Sequence, residues 1–401
     1  MPNEFTRPDF WTAFLNELNN DTEWAAAAKY FSVRIELCCE GASFAVDTRD
    51  GKAVGAAQGP LPTGADISLE APEHEWERIL DGRADYFEAT SPALGHLTVA
   101  GNAVAAGRNV KALWLFLHAL SRAARPDAQP QSAFSPAPPA YSRAVTGHYV
   151  DVNGIETYYE EAGSGAPIVC IHAAGQDTLM YRHVVRGLSD HFRVISVDAP
   201  GHGKTGEPSG GPFRSLTQHA DFNESFMAAL GLERPIIVGC SMGGNMVLEL
   251  ASRRPDYYRG VVSCEGADYT PTVSPFLLEM LLLNGPQILE AWSRSMTGKR
   301  TPPDRAREVV WQLRRVAPEY IAADLTGYAG FDRRAEMANI TSPVLLIRGD
   351  GDWLVNQEMV DATASRIKDS SVTVLEGTGH YPMIENPVEF NDAVRSFVDK
   401  L

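Results

Sequence analysis

Ser241 sits in the pentapeptide Gly239-Cys240-Ser241-Met242-Gly243, after the apolar run "PIIV" and before "NMVLELASR", whose apolar residues recur with helical period. A serine hydroxyl is a weak nucleophile until a base takes its proton, and that base needs an acceptor to fix its tautomer and stabilise its cation. G-x-S-x-G between a strand and a helix describes a sharp turn that exposes the serine at the edge of a sheet. Glycine is needed two residues to either side, because a side chain there would collide with the neighbouring strand or helix. The serine itself must hold a sparsely populated backbone conformation. Its position at a helix N-terminus favours developing negative charge.

Three of the ten histidines stand at suggestive places. His380 follows the strand-like "VTVLEG" in "GTGHYPMIENP", the last loop before a C-terminal helix, and is the predicted base. His172 ends "PIVCI", and His202 in "APGHGKT" reads as a turn residue. That last stretch contains Gly-Lys-Thr but lacks the first glycine and the spacing of a phosphate loop. No pattern calls for a metal, a nucleotide or another cofactor.

Elements that could position these groups follow from the apolar periodicity. With 401 residues the chain predicts two domains, and the Pro-rich stretch "ARPDAQPQSAFSPAPPAYS" marks a linker over 125–145. Beyond it, over 146–401, "HYVDVNGIETYYEE" reads as a hairpin, and "PIVCIHAAG", "FRVISVDAPGHG", "PIIVGCS", "YRGVVSCEG", "SPVLLIRGD" and "SSVTVLEG" as strands separated by helices. Short apolar strands alternating with helices specify an α/β fold with a mostly parallel sheet. The rhythm stops between Asp268 and Asn339, where "PFLLEMLLLNGPQILEAWSRSM" and "DRAREVVWQLRRV" are helical in period, so a cap is expected over about 269–338.

Residues 1–124 read as a small α+β domain: helices at Pro8–Leu18, Trp24–Phe31 and Val110–Ala124, strands "SVRIEL", "ASFAVDT" and "GHLTVAGN", and a turn at Asp50-Gly51. The pattern of Trp11, "VRIEL", "FAVDTRDG", "GADISLEAPEHEWERILDG" and "GHLTVAGN" followed by a helix resembles the sterol-carrier-protein family over about residues 8–122. That resemblance implies a module for apolar ligands. The alternative for the apolar "ALWLFLHAL" is ordinary core or a homodimer surface.

The second half is identified as a member of the α/β-hydrolase superfamily over about residues 146–401, through "IHAAG", "DAPGHGKT", "GCSMGG", "LLIRGDGDWLV" and "GTGHYPMIENP" in that order. The resemblance implies Ser241 as nucleophile, His380 as base and Asp352 as acid. Asp350 is expected only to cap or solvate the loop, and Glu265 in "VVSCEGAD" occupies the alternative acid position one strand earlier. The oxyanion hole would pair the Met242 amide with that of Ala174, although this chain reads His172-Ala173-Ala174 where the family usually has His-Gly. Ala173, Trp292, Trp353 and Tyr381 are expected to meet substrate, among apolar residues such as Met296 and Tyr328.

A serine nucleophile points to acyl transfer to water, hence to hydrolysis of a carboxylic ester or lactone of a hydrophobic small molecule. Carbon–carbon hydrolysis of a ring-cleavage diketone is the alternative, because "GCSMGG" also resembles the elbow of those hydrolases. A non-catalytic lipid- or small-molecule-binding protein is the third reading. The 35 basic and 51 acidic residues give a formal charge of −16, scattered along the chain, which disfavours nucleic acid and anionic membranes as partners. Five cysteines without a CxxC pair predict a reducing compartment. The N-terminus lacks a secretory pattern and no apolar run reaches the roughly 20 residues that span a bilayer. A cytoplasmic protein without stable membrane insertion is therefore expected.

Overall fold

Runs such as "PIVCI", "RVISV" and "GVVSC" are apolar at nearly every position, which suits strands covered on both faces. In a computed structural model, which describes residues 2–59, 64–128, 132–134, 143–270 and 275–401, these runs form the centre of an eight-stranded sheet. Of the linker prolines, Pro130, Pro136, Pro138 and Pro139 lie outside the described residues. By internal contacts the chain divides into two units: residues 1–130 with 274–295, and residues 131–273 with 296–401.

The first unit contains α1 (Pro8–Asn20), α2 (Thr22–Ala27), β1 (Arg34–Cys39), β2 (Ala42–Arg49), β3 (Lys52–Gln58), β4 (Ile67–Glu70), α3 (Glu73–Leu80), α4 (Tyr86–Ala89), β5 (Thr98–Gly101), α5 (Ala103–Arg108) and α6 (Val110–Ala124). Its sheet runs β3-β2-β1-β4-β5, antiparallel except for the β1/β4 pair. Asp50 and Gly51 close the β2/β3 hairpin with φ of +48° and +76°, the geometry that favours this dipeptide in a two-residue turn. Aromatic side chains fill the unit: the half-buried Trp11 stacks on the buried Phe44 at 4.9 Å, Phe14 meets Phe116 edge-on at 5.0 Å, and Trp24 donates its indole N–H to Gly51 O.

Helix α6 is apolar nearly all round and accordingly buried all round, from Ala112 through Leu120 apart from a half-buried His118. One of its neighbours comes from far along the chain. The helix α10 (Pro275–Ser295) packs on α5 and α6 in this unit, with Ile288, Leu289 and Ala291 buried. Lys111 of α6 bonds Glu290 at 2.7 Å and Glu23 at 3.1 Å, and Arg294 pairs with Glu23 while lying over the Trp114 ring. The segment expected to form a single cap is thus divided between the units, because a helix with apolar residues on several faces is drawn to the partner that covers most of them.

The second unit contains β6 (Thr146–Val152), β7 (Ile155–Ala162), β8 (Pro167–Ile171), α7 (Arg182–Leu188), β9 (Arg193–Val197), α8 (Leu216–Ala229), β10 (Ile236–Cys240), α9 (Met242–Arg253), β11 (Gly260–Cys264), α11 (Pro303–Leu313), α12 (Pro318–Tyr328), β12 (Val344–Gly349), α13 (Gln357–Arg366), β13 (Ser370–Leu375), α14 (Pro382–Glu385) and α15 (Pro387–Val398). The strand order is β13-β12-β11-β10-β8-β9-β7-β6. All pairs from β9 through β8 to β13 are parallel, and β6 and β7 add an antiparallel edge. The chain passes from β8 to β9 on one side and then crosses to β10 on the other. Such a switch in direction opens a crevice at the carboxyl ends of β8 and β10, where ligands of open α/β sheets bind. Among the described residues no helix is long and apolar enough to cross a membrane.

Candidate active site

Strand β10 ends at Cys240 and α9 begins at Met242, so Ser241 alone makes the turn, with φ +55° and ψ −119°. Its amide bonds Cys264 O at 2.9 Å, which ties the turn to β11. A Cβ at Gly239 would lie 2.0 Å from Gly243 O, and one at Gly243 would lie 2.4 Å from Ile171 O and 2.9 Å from His172 O. Both glycines are therefore demanded by backbone packed against backbone. The Met242 N–H, first in its helix, has no intrahelical acceptor.

The loop after β13 carries His380, and the loop after β12 carries Asp352; both are buried. His380 Nδ1 donates to Asp352 Oδ2 at 2.7 Å, which leaves the Nε2 lone pair free to accept a proton. Asp352 Oδ1 accepts from the Leu354 amide at 2.8 Å. Burial pushes this carboxyl up, but the charge and hydrogen bond of His380 bring it below the usual carboxylate range. The Cys240 thiol reaches His380 O at 3.4 Å, so the serine and histidine loops meet at one edge of the sheet. Glu385 organises the histidine loop: its carboxylate accepts from the amides of Gly298, Gly379 and Tyr381 at 2.7, 3.0 and 2.8 Å and from the Thr301 hydroxyl. Asp350 accepts from the Gly377 amide at 2.6 Å and serves the loop, while Glu265 is buried beside Asp352.

The loop after β8 is held by His172, whose Nε2 accepts from the Ala199 amide at 2.9 Å while Nδ1 donates to Ala173 O at 2.8 Å. Burial, reinforced by the neighbouring His202, pushes its pKa down to about 3 and keeps it neutral. The Ala173 amide points to Met180 Sδ at 3.4 Å and the Gly175 amide to Asp324 Oδ2 at 2.9 Å. Between them the Ala174 amide has no acceptor among the described residues. Asp324 was not legible as a site residue. It sits on α12, fully buried, 3.0 Å from His202 Nε2 and 3.5 Å from His219 Nε2. His202, read from sequence as a turn residue, thus also anchors a helix of the cap region. Tyr328, on the same helix, is buried with its hydroxyl directed to those of Thr270 and Ser241; burial pushes its phenol up.

A family model described as alpha/beta hydrolase fold matches residues 166–387. The chain belongs to the α/β-hydrolase family. Over 263 residues it is 27% identical to 2-(acetamidomethylene)succinate hydrolase of Mesorhizobium japonicum, which covers 62% of this chain and 94% of that one. Over 279 residues it is 26% identical to 2-hydroxy-6-oxo-6-(2'-aminophenyl)hexa-2,4-dienoic acid hydrolase of Metapseudomonas resinovorans, covering 64% and 92%. Solved structures of the same fold include the enol-lactonase from Burkholderia xenovorans, with a TM-score of 0.57, 24% identity, and coverage of 63% of this chain and 100% of that one. An esterase from Exiguobacterium antarcticum aligns with a TM-score of 0.59, 21% identity and the same coverage.

Of the residues expected to meet substrate, Ala173 lies on the loop after β8, Trp353 follows Asp352, and the Tyr381 ring stands edge-on to His380 at 5.1 Å. Trp292 lies on α10, which belongs to the first unit. In that unit His74, Glu75 and His96 also place polar atoms within 4.8 Å of one another. Arg78 occupies both oxygens of Glu75 at 3.0 and 3.2 Å, so a cation would have to displace a guanidinium.

Proposed function

We propose that the protein is a serine hydrolase that cleaves a carboxylic ester or lactone of a hydrophobic small molecule through an acyl-enzyme. Ser241 Oγ attacks the carbonyl carbon and passes its proton to His380 Nε2. Asp352 steadies the imidazolium, and the carbonyl oxygen, now negative, accepts from the Met242 and Ala174 amides. Collapse breaks the carbon–oxygen bond and the leaving alkoxide takes the proton from His380. Water then repeats the cycle on the acyl-enzyme, releasing the acid and restoring Ser241. The observation that carries this reading is a serine held at φ +55° at the end of β10, next to Cys240, whose thiol reaches the carbonyl of a histidine that has its Nδ1 bonded to a buried carboxylate at 2.7 Å.

Replacing Ser241 with Ala is expected to abolish labelling by a fluorophosphonate and to lower hydrolysis of aryl esters and lactones by at least about 1,000-fold. Hydrolysis at the wild-type rate would end the proposal. Carbon–carbon hydrolysis is favoured by the "GCSMGG" elbow and by the dienoic acid hydrolase relative. Turnover of a ring-cleavage dienone without any ester or lactone turnover would select it. The first unit is proposed as an apolar-ligand module on its sequence resemblance to sterol-carrier proteins. Saturable binding of a fluorescent fatty acid by the full chain carrying Ser241→Ala tests that part.

A further inference from the structure

Glu265 follows β11 and holds φ at +43°, a left-handed conformation that costs free energy for any residue but glycine. It is completely buried, and polar atoms of Glu265, Asp352 and His380 all lie within 4.8 Å of one another. One carboxyl oxygen, Oε1, accepts from the Gly349 amide at the end of β12. The other, Oε2, is buried and finds no donor among the described residues. The groups that face this carboxyl are Asp352 and the Cys240 thiol, with the Cys264 thiol beside it. The phenols of Tyr328 and Tyr381, near Asp352, are held neutral by burial. The cation of β12, Arg348, is committed elsewhere, to the carbonyls of Val355 and Asp352 at 3.0 and 2.9 Å and of Asp350 at 3.5 Å.

Two adjacent carboxyls sealed from water beside a single imidazole do not both ionise. Asp352 has the imidazole on one oxygen and an amide on the other, so the charge belongs to it. Glu265 has one amide and an orphan oxygen. An orphan acceptor is costly, but a proton on that oxygen turns it into a donor with a carboxylate at hand.

We propose that Glu265 is a positioning residue held as a neutral acid, whose Oε2–H donates to Asp352 and aligns that carboxylate on His380. The proposal rests on the reading of Ser241, His380 and Asp352 as a catalytic set. Burial, and then the charge on Asp352, push the Glu265 carboxyl well above its ordinary range. Neither a spare triad acid nor an inert filler would behave in this way. A spare acid would be ionised, and a filler would not need its proton.

The test compares Glu265→Gln and Glu265→Met in the full chain. Glutamine keeps the shape, a donor for Asp352 and an acceptor for Gly349, whereas methionine keeps only the volume. Two readouts serve: the protonated-carboxyl band in infrared difference spectra of wild type against Glu265→Gln near neutral pH, and the rate of fluorophosphonate labelling of Ser241 across pH. The expected result is a carboxyl band lost in Glu265→Gln, labelling by Glu265→Gln within about 3-fold of wild type with the acid limb of the profile unmoved, and labelling by Glu265→Met slower by on the order of 10- to 100-fold. An ionised Glu265 gives no band, and its removal shifts the acid limb to lower pH because the base loses an anionic neighbour. That outcome, or equal labelling by Glu265→Met, overturns the proposal. Failure of wild type to label at all overturns the catalytic set instead, and the carboxyl band then decides the protonation of Glu265 by itself.

Discussion

At Gly243, replacement by alanine would put a methyl group 2.4 Å from Ile171 O, inside the contact distance of any carbon and oxygen. The strand end and the loop that carries Ala174 must then retreat together. Gly243→Ala is expected to lose about 1–3 kcal/mol of stability, read in denaturant titrations, and, with the displaced amides as the proposed oxyanion donors, to lower kcat more than it raises KM. An unchanged kcat would remove the oxyanion role from this loop. The glycine spacing was readable because backbone sterics demand it whatever surrounds the turn. Asp352 was readable by the resemblance of "LLIRGDGDWLV", and His380 by its loop. Glu385 was visible in "GTGHYPMIENP" but silent, since nothing in a sequence says which amides a carboxylate will gather.

Helix α12 shows where reading by element fails. In "PEYIAADLTGY" a lone aspartate looks like a solvated helix residue, and its partners His202 and Gly175 stand more than a hundred positions upstream. The helix is therefore fastened to the loop after β8 by one buried carboxylate. Burial pushes Asp324 up, yet His202 and His219 hold it far below its ordinary range; burial pushes His202 down, yet Asp324 leaves it raised. Asp324 thus contributes stability above about pH 3.9 that fails only in strong acid. His202 contributes stability that is complete below about pH 6.5 and fades as pH rises through its folded value. The melting-temperature deficit of Asp324→Asn should be largest between about pH 4 and 6.5 and shrink toward alkaline pH. A deficit that grows with pH would contradict the ion pair. Helix α6, by contrast, spans Val110–Ala124, as its sequence leads one to expect of about these residues, since its period and length are local properties.

Across the whole molecule, periodicity established that α6 and α10 must each be covered but not that they cover one another, because burial is a property of a surface and not of a neighbour's address. The first unit takes residues 274–295 from the middle of the second. Apolar side chains such as Ile288 and Leu289 contribute about 1.5–3 kcal/mol each when buried. Residues 1–130 produced alone should accordingly bind an apolar dye and exchange the amides of α6 quickly, and a peptide of residues 274–295 added in trans should suppress both. Native-like protection without the peptide would show that the helix is dispensable. The interleaving also sets an order of events on the ribosome. A domain at the N-terminus ordinarily finishes folding while the rest is still being made, but this one waits for residue 295. By then the elbow at Ser241 has been synthesised while the loops of Asp352 and His380 have not. The first unit can thus close before the chemistry of the second exists, and an early stop in translation between the two would leave a folded first unit attached to an incomplete sheet.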